Sequence, residues 1–210
     1  MEKVDILLPP DFHKSGVVKT REQAINDGDW LGGFHLWLVR TKPKLSLIFQ
    51  RRSSQKPTFP NQLDVSAAGH YQAGETVKNG LREVKEELGK DYNFQKLTYL
   101  GKKVFVDFDS SGRKLQTVND VFITIDNEPL STFSLQKTEV AGLLIIKVID
   151  LIKIFKQDSY VFKAKGINLE GQEIIETIKK ADFIQNWDNY QYKIANLTKR
   201  LVQGETDLIY

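Results

Sequence analysis

A glycine-rich stretch running into a two-faced helix constrains this chain more than any other feature. Residues 66–75 read SAAGHYQAGE, and the pattern predicts a helix from about Val77 to Leu88. Val77, Leu81, Val84 and Leu88 fall at i, i+4, i+7 and i+11, which is one apolar face. Gly89 follows, where a residue free of a Cβ stops a helix at least cost. Glu83, Glu86 and Glu87 lie elsewhere on the same helix. At about 100° per residue they span about 100°, centred roughly 140° from the apolar stripe. One side of the helix must therefore rest on a core while the other holds three carboxylates. Like charges at this spacing destabilise a helix by themselves. Arg82 and Lys85 offset part of the repulsion, and a bound divalent cation offsets it better. Mg²⁺ takes oxygen ligands, few from protein and the rest from water and phosphate. On the tract EVKEE alone, a solvated acidic face is the plain alternative.

The rest of the chain reads as an α/β domain. Phe34–Val39 and Leu45–Arg52 are expected strands, with Pro43 in the turn between them. Residues 53–64 are polar with two prolines and are expected as a loop. Thr98–Asp109 and Leu115–Asp126 flank Ser110-Ser111-Gly112, a hairpin signal. Gly142–Ile149 is a continuous apolar run suited to a buried strand, and 150–156 to a short helix. Residues 1–30 show mixed character with a turn-rich Asn26–Asp29. Tyr160–Ala164 is an expected strand. Tyr190, Ile194, Leu197 and Leu201 mark a helix over Asp188–Gln203, their stripe serving packing. The expected organisation is a core domain over 25–156 and an extension over 157–210 docked on it.

Composition removes several function classes. The 210 residues contain no cysteine, which excludes disulfides, thiolate zinc sites and a cysteine nucleophile. Net charge is +3 with no clustered basic excess, so no nucleic-acid polymer is expected as partner. No apolar run reaches the roughly 18 residues of a membrane span. The first residues, MEKVDILLPPDFHK, do not form a secretion signal. A soluble, cytoplasmic protein with no membrane partner is expected.

The residues around the helix are Gly69, Glu75, Arg82, Glu83, Val84, Glu86, Glu87 and Gly89, in that order. This resembles the Nudix box, G-x5-E-x7-R-E-U-x-E-E-x-G-U, with U bulky and apolar. Two departures stand out. Six residues separate Glu75 from Arg82 in place of seven, and Lys90 replaces an apolar residue. The segments GDWLGGFHLWLV, LIFQRRSSQKPTFPNQLDVSAAGH and QKTEVAGL are similar to the Nudix branch related to isopentenyl-diphosphate isomerase, although Leu31 stands where that branch carries histidine. The ending, from DFIQNWDNYQYKI to GETDL, is similar to that branch as well.

The resemblance implies the Nudix fold, an α/β/α sandwich with a mixed β-sheet, plus a C-terminal helical extension. It implies hydrolysis of a diphosphate linkage in a small organic or nucleoside diphosphate, dependent on Mg²⁺ or Mn²⁺, and a homodimer. Glu83, Glu86 and Glu87 are the implied metal ligands, with Glu75 and the Gly69 carbonyl as further candidates. Glu86 or Glu87 is the implied general base. Arg82 orients a carboxylate. Glu139, in QKTEVAGL, is either a further catalytic carboxylate or a loop charge. Arg51 or Arg52 faces the substrate phosphates, since alternation sends only one of them to a given face. His35 and His70 are candidates for the substrate wall, Trp37 is expected in the core, and His13 on the surface. Two alternatives remain. An isomerase of the related branch conflicts with the absence of cysteine, and an inactive binding module conflicts with the intact acidic cluster.

Overall fold

The computed structural model describes residues 2–109 and 111–210. The chain opens with a hairpin, β1 (Lys3–Leu8) and β2 (His13–Thr20), then α1 (Arg21–Asp27). The mixed pattern of residues 1–30 thus hides three elements. Thr20 and Gln23 form a reciprocal capping box at the start of α1, and Gly28 ends it in a left-handed conformation. Ala24 of this helix packs on Val4, Ile6 and Leu31.

The central strand is β3 (Trp30–Arg40), followed by β4 (Ser46–Arg52), β5 (Leu63–Asp64) and β6 (Ala67–His70). Two expected loops therefore contain short strands. After a 3-10 turn at Val77–Gly80 comes α2 (Leu81–Leu88), so the expected helix is 3-10 in its first turn and α-helical beyond it. Gly80 sits against Phe34, and an added Cβ there would collide with the ring. Gly89 caps α2 with φ 66°. The hairpin β7 (Thr98–Phe108) and β8 (Lys114–Ile125) falls where the pattern put it, although Ser110 of its turn signal lies outside the described residues. Then follow β9 (Val140–Lys147), α3 (Val148–Lys156), β10 (Phe162–Asn168), β11 (Glu173–Ile178) and α4 (Tyr190–Val202). The strand expected at 160–164 lies slightly later, and β11 carried no clear sequence signal.

Among the described residues the eleven strands form one sheet with backbone order β11-β10-β9-β4-β3-β1-β2. Strand β8 pairs with β3 in parallel, and the other strand pairs are antiparallel. Alternation along the central strands builds two cores. Trp37, Val39, Leu47, Phe49, Leu144 and Ile146 point to the face covered by α3 and α4. Phe34, Leu36, Leu38, Ile48 and Leu143 point to the face covered by α2, through Val84 and Leu88. Burying each of those two helix side chains stabilises the layer by about 1.5–3 kcal/mol. The result is helix, sheet, helix, with a mixed sheet and a C-terminal helix packed on it. No helix of the described residues is long and apolar enough to cross a membrane.

The sheet also prepares an opening. Strand β4 pairs with β3 only over Leu38–Arg40, while β6 takes the same edge over Gly33–Leu36. Where β4 and β6 diverge, the residues preceding α2 and the end of β4 face a common space.

Candidate active site

That space is a cavity of about 880 Å³, within the range typical of small-molecule sites. Helix α2 supplies Glu83, Glu86 and Glu87 to its lining, and β6 supplies Ala68, Gly69 and His70. Glu87 is 4% exposed. Its carboxylate accepts hydrogen bonds from the Ala68 N–H at 3.2 Å and Gln50 Nε2 at 3.3 Å. Burial, only partly offset by the Ala68 bond, pushes Glu87 up to about 8 from its ordinary 4.5. Glu83 lies directly over Gly69. A Cβ at residue 69 would overlap the Glu83 carboxyl group, so only glycine lets the strand approach. Burial raises Glu83 to about 7, although Arg82 beside it pulls the other way.

Arg82 gathers three carboxylates. It bonds Glu83 at 2.9 Å, Glu86 at 2.9 Å and Glu75 at 3.1 Å. Glu86 is the outermost of the α2 set, with a half-exposed side chain. Glu75 does not line the main cavity. It turns back to accept the Gln72 N–H at 2.7 Å and faces a smaller pocket of about 160 Å³. The chain is one residue shorter between Glu75 and Arg82 than the expected spacing, and here the two side chains meet as an ion pair.

Among the described residues, no three His, Asp or Glu side chains stand close enough to enclose a metal ion. Arg82 bonds Glu86 at its half-exposed position on the outer side of the set. The donor set still suits a hard cation. Glu83 and Glu87 offer hard oxygen donors whose ionised form burial disfavours without added positive charge, and Gly69 brings a backbone carbonyl to the same wall.

On the far side of the opening, Arg52 lines the cavity and Arg51 does not. Their alternation on β4 sends Arg51 to the opposite face, where it bonds the Asn61 carbonyl at 2.6 Å and pairs with Glu176. Arg52 pairs with Asp64 at 3.0 Å. Glu139 lines the cavity and pairs with Lys56.

His35 is half-buried at the cavity wall. Its Nδ1 lies 3.0 Å from the Tyr190 hydroxyl, which also accepts the Trp37 Nε1–H at 2.9 Å. Burial lowers His35 to about 4 and His70 well below its ordinary value, so both rings are neutral at pH 7. Trp37 lies in the core and His13 on the surface, near Asp11. Tyr190 both packs with the stripe of α4 and lines the cavity, a second role its spacing did not indicate.

Lys103, Phe105 and Asn119 also line the cavity and were not anticipated. Gln50 was missed too, since an amide in an apolar strand gives no hint of its partner.

Comparison with known proteins agrees with this architecture. The NUDIX domain profile matches residues 33–165. An uncharacterized Nudix hydrolase of Clostridium acetobutylicum is 32% identical over 183 residues, covering 84% of this chain and 87% of that protein. The chain belongs to the Nudix family. Nudix hydrolase 3 of Arabidopsis thaliana is 29% identical over 181 residues, which is 83% of this chain but 23% of that longer protein. Among solved structures, DR0079 of Deinococcus radiodurans superposes with a TM-score of 0.53 at 23% identity, covering 74% of this chain and 89% of that one. This likeness supports the fold.

Proposed function

We propose that this protein hydrolyses a diphosphate linkage in a small organic or nucleoside diphosphate, using Mg²⁺ or Mn²⁺. The observation that carries the reading is the pair of half-buried Glu83 and buried Glu87 on a cavity wall, with the glycine that lets Glu83 approach. Membership in a family whose relatives bear the name hydrolase supports it.

Glu83, Glu86 and Glu87, with the Gly69 carbonyl, would hold the cation. When bound, it polarises a phosphoryl oxygen and makes a coordinated water acidic. The chain's own groups do the rest. Arg82 keeps Glu83 and Glu86 in place by charged hydrogen bonds. Glu86 or Glu87 takes the proton of the attacking water as it bonds to phosphorus, while the bond from that phosphorus to the bridging oxygen breaks and the other half leaves as a phosphate or phosphomonoester. Arg52 offers N–H donors to the phosphate oxygens. Glu139, paired with Lys56 and near enough to Glu87 to act on its charge, adds a further carboxylate that can orient water. His35 and His70, both neutral, give the wall hydrogen-bonding groups without adding charge.

The test is a screen of nucleotide, sugar, coenzyme and prenyl diphosphates for phosphate or phosphomonoester release with Mg²⁺, with EDTA as control. Metal-dependent turnover of at least one compound is expected. Inertness toward all of them with either metal refutes the proposal.

A further inference from the structure

Within the cavity, away from the carboxylates of α2, stands a charged group that the proposed chemistry does not use. Lys103 on β7 is 1% exposed and lines the cavity. Its Nζ has no hydrogen-bond partner, and among the buried, unpartnered side-chain groups of the described residues it is the one ammonium. Asp188 lies 3.6 Å away, close enough to balance the charge and too far to accept a hydrogen bond. The Tyr210 hydroxyl donates to the same Asp188 oxygen, Oδ2, and Oδ1 has no hydrogen-bond partner. The ammonium lies over the Tyr190 and Phe105 rings, and none of its three N–H donors meets an oxygen acceptor. Burial accordingly pulls the Lys103 pKa down, against the attraction of Asp188.

The surroundings describe what is missing. The Tyr190 ring centre lies 4.9 Å from Nζ and that of Phe105 lies 5.2 Å from it. Phe59, also on the cavity wall, meets Phe105 edge to face at 6.2 Å. Flat apolar walls therefore flank a cluster of donors. Because Asp188 already neutralises the ammonium, an uncharged oxygen acceptor fits better here than a second anion. Position agrees. His70, Gly33, Asn119 and Lys103 form one row across β6, β3, β8 and β7. Three strand spacings put Lys103 about 14 Å from the β6 row beside the carboxylates. A diphosphate held at that end reaches Lys103 only through the organic group it carries.

We propose that Lys103 is a specificity-determining residue whose ammonium donates to an uncharged carbonyl oxygen on a planar ring of the substrate, as in a pyrimidine base. The inference deepens the proposed hydrolase reading and rests on it for the placement of the diphosphate. Its test is binding to the full chain by calorimetry, with uridine 5′-monophosphate and benzyl phosphate as probes. Both carry a flat ring and a phosphate, and only the first has a ring carbonyl. Lys103→Met should weaken uridine monophosphate binding by about 10- to 100-fold and change benzyl phosphate by no more than about threefold. Since Lys103→Met alone leaves Asp188 buried and unbalanced, the double variant K103M/D188N must show the same split. Equal loss for both probes, no loss for either, or no binding of uridine monophosphate by the unmodified protein overturns the inference. Metal-dependent hydrolysis is measured separately, so turnover without this split refutes the role of Lys103 alone. The split without turnover refutes the hydrolase.

Discussion

Replacing Glu87 with glutamine separates the cost of the site from its use. In the folded chain Glu87 titrates near 8, against an ordinary 4.5, because it is buried. The folded state keeps a proton that the unfolded chain releases, so stability is full below pH 4.5 and falls as pH rises toward 8. That rise corresponds to about 3 kcal/mol lost between pH 4 and pH 7, and the loss levels off above pH 8. Glutamine cannot ionise, and its Oε1 can still accept the Ala68 N–H. In chelator at pH 7, Glu87→Gln should therefore melt higher than the unmodified protein, by about 6–12 °C for about 3 kcal/mol. The gain should vanish at pH 4. Saturating Mg²⁺ should stabilise the unmodified protein by about 2.7 kcal/mol at a hundred times its Kd, and the variant far less. Turnover should drop at least about 100-fold. Scanning fluorimetry across pH, with and without Mg²⁺, reads the first three effects, and single-substrate kinetics the fourth. A variant that melts at or below the unmodified protein at pH 7 in chelator would refute the argument from burial. Near-normal kinetics would refute the assigned chemistry.

Gly69→Ala should leave the backbone fold intact by circular dichroism yet lower kcat by at least about tenfold, because the new methyl displaces the Glu83 carboxylate. Normal kcat would show that Glu83 need not sit there. Arg52→Ala should cut kcat/KM by about 10- to 100-fold, whereas Arg51→Ala, which loses contacts to Glu176 and Asn61 on the opposite face, should reduce stability and spare kcat/KM. The reverse pattern in kinetics would contradict the assignment of the two faces. Tyr190→Phe leaves the buried Trp37 Nε1–H without its acceptor and should cost about 1–3 kcal/mol by urea titration. An unchanged midpoint would mean that the hydrogen bond contributes nothing.

The helix and the carboxylates were legible because both depend on local spacing. Val84 and Leu88 reach the core as their periodicity requires, and Gly89 stops the helix. What the helical wheel could not show is the depth of Glu87. Residues of α2 meet β6 and Gln50 from β4, and those neighbours enclose a side chain that an isolated helix would leave in water. Arg51 and Arg52 were known to diverge, but their choice of face depended on β4 joining the sheet beside β9. Lys103 was illegible for another reason. The register of β7 against β8 slips between Tyr99 and Gly101, so alternation counted from the start of that strand assigns the wrong face beyond the bulge. The N-terminal hairpin was missed because its second strand is mostly exposed and lacks an apolar alternation.

The walls of the cavity and its acidic centre come from distant parts of the chain. Gly69 to Glu87 lie within one short segment, whereas Tyr190 closes the wall from a helix 155 positions beyond the His35 it touches. Phe105 and Lys103 come from a strand on the far side of β3. Substitutions in these outlying parts can reshape what enters the pocket while α2 and β6 stay unaltered. Diversification among related chains can therefore proceed by drift in the tail and the β7–β8 hairpin, with the carboxylate-bearing helix and its glycine strand inherited whole.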